Sequence, residues 1–171
     1  MEDLKVLINL ISKNKTKSIE VIGNNGGATS NYQKLYDEVA SGRITSDEEA
    51  IDFFFPETQH RNYYLKRLKK QLHDRLINTL FFIDINQPSY TEYQRAYHTC
   101  YKAATATKIL LGKYARSAAI QLAERTIKHA IKFEFTDIIL LLAKDLRFHY
   151  GGIVGNKKKY EYYNDLVASY S

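Results

Sequence analysis

Residues 116–150, with the sequence RSAAIQLAERTIKHAIKFEFTDIILLLAKDLRFHY, decide the fold class of this chain. Small and apolar residues recur there at helical spacing, as in Ala123, Ile127 and Ala130. This period is typical of a helix with one buried face. Thr136 is placed to cap a second helix. The stretch therefore predicts two helices joined by a short turn, and helices joined in this way pack against each other in antiparallel fashion.

The same helical period continues on both sides of this stretch. Two capping boxes mark predicted helix starts, at Ser46–Glu49 and Ser89–Glu92. In a capping box the hydroxyl of the first residue accepts a hydrogen bond from the backbone N–H three residues later, and the carboxylate of that later residue accepts one from the backbone N–H of the first. Residues 18–22 fit a short extended piece, and residues 23–27 fit a loop. The predicted helices are residues 4–11, 31–40, 46–55, 59–84, 89–112, 116–133, 136–150 and 157–170. We therefore expect an all-α protein.

Composition excludes several classes of protein. The chain has 171 residues, enough to bury a core of its own. Its single cysteine, Cys100, excludes an intrachain disulfide framework and a multi-cysteine metal site. The longest apolar run, Ile138–Ala143, is far shorter than the roughly 20 residues that span a bilayer. Glu2 and Asp3 precede the first apolar residues, unlike a secretory signal. We expect a cytoplasmic protein without a membrane partner.

The C-terminal third contains a pattern of aromatic, small and turn residues that points to a repeat. Its elements are Leu146, Tyr150, the pair Gly155-Asn156, Tyr160 and Tyr163, preceded by Ala123, Ile127 and Ala130. This pattern resembles the tetratricopeptide repeat over about residues 115–171. Three departures stand out: one residue too many lies between Tyr150 and Gly155, Tyr160 replaces an alanine, and the helix-closing proline is absent.

The resemblance implies antiparallel helical hairpins that form a tetratricopeptide-like α-solenoid, and an irregular helical bundle is the alternative. The expected organisation is a small N-terminal helical region, residues 1–57, followed by a helical-hairpin domain, residues 58–171, with one continuous domain as the other possibility. The function that the resemblance implies is non-enzymatic: a protein-interaction or scaffold module that presents a preformed helical surface.

A tyrosine wall is the first candidate binding surface. Tyr93, Tyr97 and Tyr101 repeat every four residues along one predicted helix. Tyrosine gives a large contact area at a low cost in conformational entropy, as the wall of a peptide-binding groove requires. The alternative is that these rings pack between helices with their hydroxyls at the rim.

Two basic clusters are further candidate contacts with an acidic or phosphate-bearing partner. Lys66, Arg67 and Lys70 lie on a predicted helix whose leucines occupy another face. Lys157 and Lys158 begin the last helix, where cations oppose the helix dipole. The alternative for both clusters is an ordinary solvated face. The whole net charge of +6 lies in residues 86–171, so the alternative function is a nucleic-acid-associated or regulatory factor that uses this half.

We expect no catalytic, cofactor-binding or metal-binding residues, and no enzyme activity. The only Glu-x-x-His spacing is Glu57 to His60, whereas a di-iron bundle needs two such pairs and two more glutamates. No phosphate-binding glycine motif occurs. Cys100 and His98 are two residues apart and would not face each other on a helix.

The last predicted helix suggests a partner for its apolar face. That face consists of Tyr160, Tyr163, Leu166, Val167 and Tyr170. A terminal unit of a helical array normally has a polar outer face. We therefore expect either a homodimer through this helix or a C-terminal continuation that covers it, in addition to a protein or peptide partner of acidic character.

Overall fold

The computed structural model describes residues 1–13 and 30–171, and these residues form eight α-helices, one π-helical turn and no strand. The helices are α1 (Glu2–Lys13), α2 (Asn31–Ala40), α3 (Asp47–Phe54), α4 (Arg61–Leu80), α5 (Glu92–Gly112), α6 (Arg116–Lys132), α7 (Thr136–Phe148) and α8 (Lys157–Tyr170), with the π-helical turn His149–Ile153 between the last two. The predicted all-α fold is confirmed. The predicted extended piece at residues 18–22 and the loop at 23–27 lie outside the described residues.

The structure confirms one of the predicted helix caps and corrects two others. The capping box of Ser46 and Glu49 opens α3 as predicted. At α5, however, the N-cap is Thr91, whose side chain pairs with the backbone of Gln94 while the Gln94 amide oxygen accepts from the Thr91 N–H at 2.9 Å. The expected box from Ser89 is wrong because the Thr91 box starts the helix two residues later. Thr136 is the first residue of α7 rather than its cap.

The first compact unit is Met1–Asp84, and its core is built on α4. Leu65, Leu68, Leu72 and Leu76 occupy successive turns of α4 and are buried. They belong to one apolar cluster with residues of α1, α2 and α3, namely Leu4, Ile8, Ile11, Leu35, Val39 and Ala50. Because the leucine face of α4 packs on these helices, α4 belongs to the N-terminal unit. This division differs from the predicted boundary after residue 57.

The second compact unit, Ile85–Ser171, consists of α5 to α8 and the π-helical turn. Each helix packs on the next one along the chain. Ala119, Ala123 and Ala130 of α6 are fully buried, and small residues at these positions let helix backbones approach closely. The structure therefore contains the expected helical hairpins, while the resemblance to a solenoid stays a prediction.

Two hairpin turns of the second unit end in the same way. Tyr114 and Glu134 have left-handed φ values of 60° and 58°. In each turn the next residue returns a hydrogen bond to the preceding helix: the Ala115 N–H donates to Leu110 at 2.9 Å, and the Phe135 N–H donates to Ala130 at 3.0 Å. This is the Schellman arrangement, in which glycine normally supplies the left-handed residue.

Replacing Glu134 with glycine should relieve backbone strain, whereas replacing it with alanine should not. The side chain of Glu134 is exposed, so both variants lose the same solvated group. We expect the Gly variant to be more stable than the Ala variant by about 1 kcal/mol, because a Cβ disfavours the left-handed region. Urea denaturation followed by circular dichroism measures the difference. Equal stability, or a more stable Ala variant, would show that the turn is not strained.

The π-helical turn lies at the position where the tetratricopeptide pattern has one residue too many. A π-helical turn accommodates an extra residue within a helix. Its end is held by hydrogen bonds from the Val154 N–H to His149 at 3.0 Å and from the Asn156 N–H to Tyr150 at 2.8 Å. A Cβ at Gly151 would lie 2.6 Å from the Tyr160 ring, so Tyr160 fills the space that the glycine leaves open.

Candidate protein-interaction surface

The three residues of the predicted tyrosine wall belong to a larger aromatic cluster. Phe133 and Phe135 of the α6–α7 turn join Tyr93, Tyr97 and Tyr101 of α5. The ring centroids of Tyr93 and Tyr97 lie 5.2 and 5.6 Å from that of Phe135, with edge-on planes at 72° and 86°. This is the preferred geometry for a pair of aromatic rings. We call these five residues the aromatic cluster.

The cluster has a buried floor and an exposed rim. Phe135 is only 4% exposed, and Phe133 stacks on it at 5.8 Å. In contrast, Tyr93 is 56% and Tyr97 is 41% exposed. The two tyrosines are therefore neither core residues nor free surface side chains. Their inner edges are fixed by the floor, and their outer parts face solvent.

Tyr101 has a different environment from the other two tyrosines. Its hydroxyl donates a hydrogen bond to the Asp137 carboxylate near the start of α7. This hydrogen bond and a second one with Tyr97 raise the pKa of the Tyr101 hydroxyl above its ordinary value. Tyr101 also packs against the core of the unit. Tyr101 therefore links α5 to α7 and supports the neighbouring Tyr97.

Charged groups border the aromatic cluster on the side of α6. The Lys132 ammonium lies 4.9 Å from the centroid of the Phe133 ring and 3.1 Å from the Glu92 carboxylate. Both of these side chains are more than half exposed, and exposed ion pairs contribute little to stability. An incoming carboxylate can therefore compete with Glu92 for Lys132.

The first basic cluster lies in the N-terminal unit. Lys66, Arg67 and Lys70 are exposed on α4, and the structure gives them no ion pair within the described residues. Tyr63 shares their face, since it precedes Arg67 by four residues and Lys70 by seven. Its ring centroid lies 5.6 Å from that of Tyr64, which in turn contacts Phe55. An aromatic strip thus adjoins these cations.

The second basic cluster lies far from the tyrosine wall. Lys157 and Lys158 are exposed in the first turn of α8, which follows the C-terminal end of α7. The wall contacts the opposite end of α7 through Asp137. The 13 residues of α7 span about 20 Å. The structure therefore does not bring the wall and these lysines into one site.

The apolar face of α8 packs mainly on its own unit. Tyr163 and Val167 are buried, and Leu166 and Tyr170 pack partly buried against the same core. Tyr160 covers Gly151. Most of the face that suggested a homodimer or a C-terminal continuation is thus covered inside the unit. Either partner for α8 stays a prediction, without an open apolar helix face to support it.

Two observations on the described residues concern metal-binding and nucleophilic side chains. Within residues 1–13 and 30–171, no three His, Cys, Asp or Glu side chains are arranged to hold a metal ion. Cys100 is buried in the core, and burial raises the pKa of its thiol. A thiol with a raised pKa is a poor nucleophile at neutral pH. None of the helices in the described part of the chain is long and apolar enough to cross a membrane.

Sequence reasoning found the exposed part of the cluster and missed its floor. Phe133 and Phe135 flank Glu134 in the α6–α7 turn, 38 or more residues after the tyrosines that their rings contact. A usable signal was present, because two phenylalanines in a short turn between helices need cover from another helix.

Comparisons of the chain with protein-family models, with curated proteins and with solved structures find no match.

Proposed function

We propose that this chain is a protein-interaction module and that the aromatic cluster is its principal contact surface. The observation that carries the proposal is the half-exposed state of Tyr93 and Tyr97 above a buried aromatic floor. Binding hot spots are enriched in tyrosine and lie in well-packed settings. Because the floor already fixes the two rings, Tyr93 and Tyr97 lose little further side-chain entropy when a partner contacts them.

The surroundings of the cluster indicate the chemistry of the partner. The rings offer apolar faces and phenolic hydroxyls, and Lys132 offers a cation whose present partner is an exposed carboxylate. A peptide segment with an apolar or aromatic side chain next to an acidic one fits both groups. This matches the acidic character that the sequence predicts for the partner.

Replacing Tyr93 and Tyr97 with alanine tests this function. We expect the double variant to lose most of its captured partners when the purified, tagged chain is incubated with native lysate, since hot-spot tyrosines each contribute about 2 kcal/mol or more. Quantitative mass spectrometry of the captured proteins provides the measurement. The matched control is Tyr114→Ala, which removes a 92% exposed tyrosine of the same unit outside the cluster.

Two results would contradict the proposal. One is an unchanged set of captured proteins in the double variant, provided that circular dichroism shows it to be folded. The other is capture that depends on nucleic acid: if nuclease treatment removes the partners and their binding falls steeply with salt, the basic half acts as a polyanion contact instead.

A further inference from the structure

The connection between α7 and α8 exposes apolar side chains that the aromatic cluster does not use. Residues 148–155 read FHYGGIVG and contain no Asp, Glu, Lys or Arg. We call them the apolar turn. Phe148, Ile153 and Val154 are 66%, 47% and 54% exposed. Large apolar groups grouped on a surface often mark an interaction site.

The three exposed side chains lie at one end of the C-terminal unit. The Phe148 ring lies 3.5 Å from the position of a Cβ on Gly152, so it covers the glycine that precedes Ile153. The Val154 N–H donates to His149, which follows Phe148 in the chain. The neighbouring depression is lined by Tyr150, Gly151, Gly155, Lys157 and Tyr160. None of the three exposed side chains lines this depression, so they lie beside it, with about half or more of each side chain in solvent.

Lysine side chains surround the apolar turn. Lys144 is exposed on α7, one turn before Phe148, and Lys157 and Lys158 are exposed just after Gly155. At the start of α8, Lys157 and Lys158 oppose the helix dipole, which is unfavourable for the stability of this helix.

Few acidic groups neutralise these lysines. Glu124 binds Lys159 at 2.8 Å, so that carboxylate is already occupied. Glu161 approaches Lys157 only at 3.8 Å, and both side chains are largely exposed. Lys158 has no ion pair within the described residues. This end of the unit therefore combines exposed apolar groups with positive charge that acidic groups compensate only in part.

Part of the backbone of the apolar turn is already hydrogen-bonded within the protein. Hydrogen bonds close the turn from within, since Val154 donates to His149 and Asn156 donates to Tyr150. Backbone groups that already have partners can approach a lipid interface without losing hydrogen bonds to water.

We propose that the apolar turn docks the protein on an anionic lipid surface. Phe148, Ile153 and Val154 enter the interfacial layer, and Lys144, Lys157 and Lys158 contact the phosphate-bearing headgroups. Apolar groups combined with basic ones are the chemistry that peripheral membrane contacts use. An acidic protein segment is the alternative, but three exposed apolar side chains that do not line the neighbouring depression fit a lipid surface better. The expectation of no membrane partner rested mainly on the lack of a spanning segment, and surface docking needs none.

Co-sedimentation of the full chain with lipid vesicles tests the proposal. We expect binding to vesicles of phosphatidylcholine with phosphatidylserine and little binding to phosphatidylcholine alone. Ile153→Ser with Val154→Ser should weaken binding at least tenfold. Lys157→Gln with Lys158→Gln should weaken it about fivefold for each lysine removed. The matched controls are Ile109→Ser, an equally exposed residue of the same unit, and Lys66→Gln with Arg67→Gln. Neither control should weaken binding.

Three results would overturn the proposal. The first is no binding to the anionic vesicles. The second is an equal loss in the Lys66 and Arg67 control, which would indicate unspecific attraction. The third is binding to polyglutamate without vesicles that needs Lys157 and Lys158 but not Ile153 and Val154, which would assign the surface to an acidic protein. Because Tyr93→Ala with Tyr97→Ala should bind vesicles normally, failure here and failure of the proposed function are separate results.

Discussion

Replacing Leu142 with alanine should lower the free energy of unfolding of the C-terminal unit by about 3 kcal/mol. Leu142 is fully buried in α7, the helix that packs on both α6 and α8. Its removal takes apolar contacts away and leaves a cavity, because the surrounding helices relax only in part. Domains are stable by about 5–15 kcal/mol, so this single change removes a large share of the total.

The neighbouring residue provides a matched control for this substitution. Leu141 lies on the same helix and is 40% exposed. Leu141→Ala should cost well under 1 kcal/mol, because its side chain is already partly in water. Urea denaturation followed by far-ultraviolet circular dichroism compares the two variants. Similar midpoints for both would mean that α7 is not the centre of the core.

The second large effect is expected for Glu124→Ala, because one carboxylate oxygen of Glu124 holds three elements together. It accepts hydrogen bonds from the Tyr150 hydroxyl at 2.8 Å, the Lys159 ammonium at 2.8 Å and the Tyr163 hydroxyl at 3.3 Å. These groups come from the π-helical turn and from α8, and Glu124 itself belongs to α6. Replacing Glu124 with alanine removes this acceptor, so the hydroxyls of two buried tyrosines, Tyr150 and Tyr163, lose a hydrogen-bond partner. We expect a loss of about 2 kcal/mol.

The control for this variant is Glu161→Ala. Glu161 is more than half exposed, and of the residues that the structure describes it forms an ion pair only with Lys157, at 3.8 Å. Its loss should change stability by less than about 0.5 kcal/mol. If thermal unfolding shows that Glu124→Ala also loses less than about 0.5 kcal/mol of stability, the hydrogen bonds of Glu124 do not stabilise the packing of α8.

The effect of Glu124 also depends on pH. Burial alone would raise the pKa of Glu124, but the hydrogen bonds from Lys159 and Tyr150 outweigh it and hold the pKa below its ordinary value of 4.5. A carboxyl whose pKa is lower in the folded state stabilises the fold above the pKa of the unfolded chain. This stabilisation is lost as the pH falls through the folded-state pKa. The stability gap between the native chain and Glu124→Ala should therefore be full near pH 7 and shrink below pH 4.5.

Local patterns in the sequence were sufficient to predict the helices but not which helices pack together. The leucine spacing from Leu65 to Leu76 defines the buried face of α4 whichever unit α4 joins, so the sequence could not place the unit boundary. The two overlapping boxes of Ser89–Glu92 and Thr91–Gln94 have the same chemistry. Only the contacts of the folded chain show which of them starts α5.

The candidate site shows the same division between local and distant contacts. The spacing of Tyr93 and Tyr97 on one helix predicted the exposed rim. The floor residue Phe135 belongs to the α6–α7 turn, with the whole of α6 between it and α5, and its contact with those rings depends on how α5, α6 and α7 pack. Spacing along one helix carries no information about such a contact. The exposure of Phe148, Ile153 and Val154 likewise could not be predicted from the sequence, since apolar residues in a sequence are normally assigned to a core.

The π-helical turn has a consequence for the length of the connection between α7 and α8. Its residues, His149–Ile153, carry the chain past the end of α7, and Gly155, with a left-handed φ of 70°, turns it towards α8. Tyr160 then packs over Gly151, where a Cβ would lie 2.6 Å from the tyrosine ring. Deleting one residue from the turn would shift Gly151 relative to Tyr160, so this connection tolerates substitution of its exposed side chains better than a change in its length.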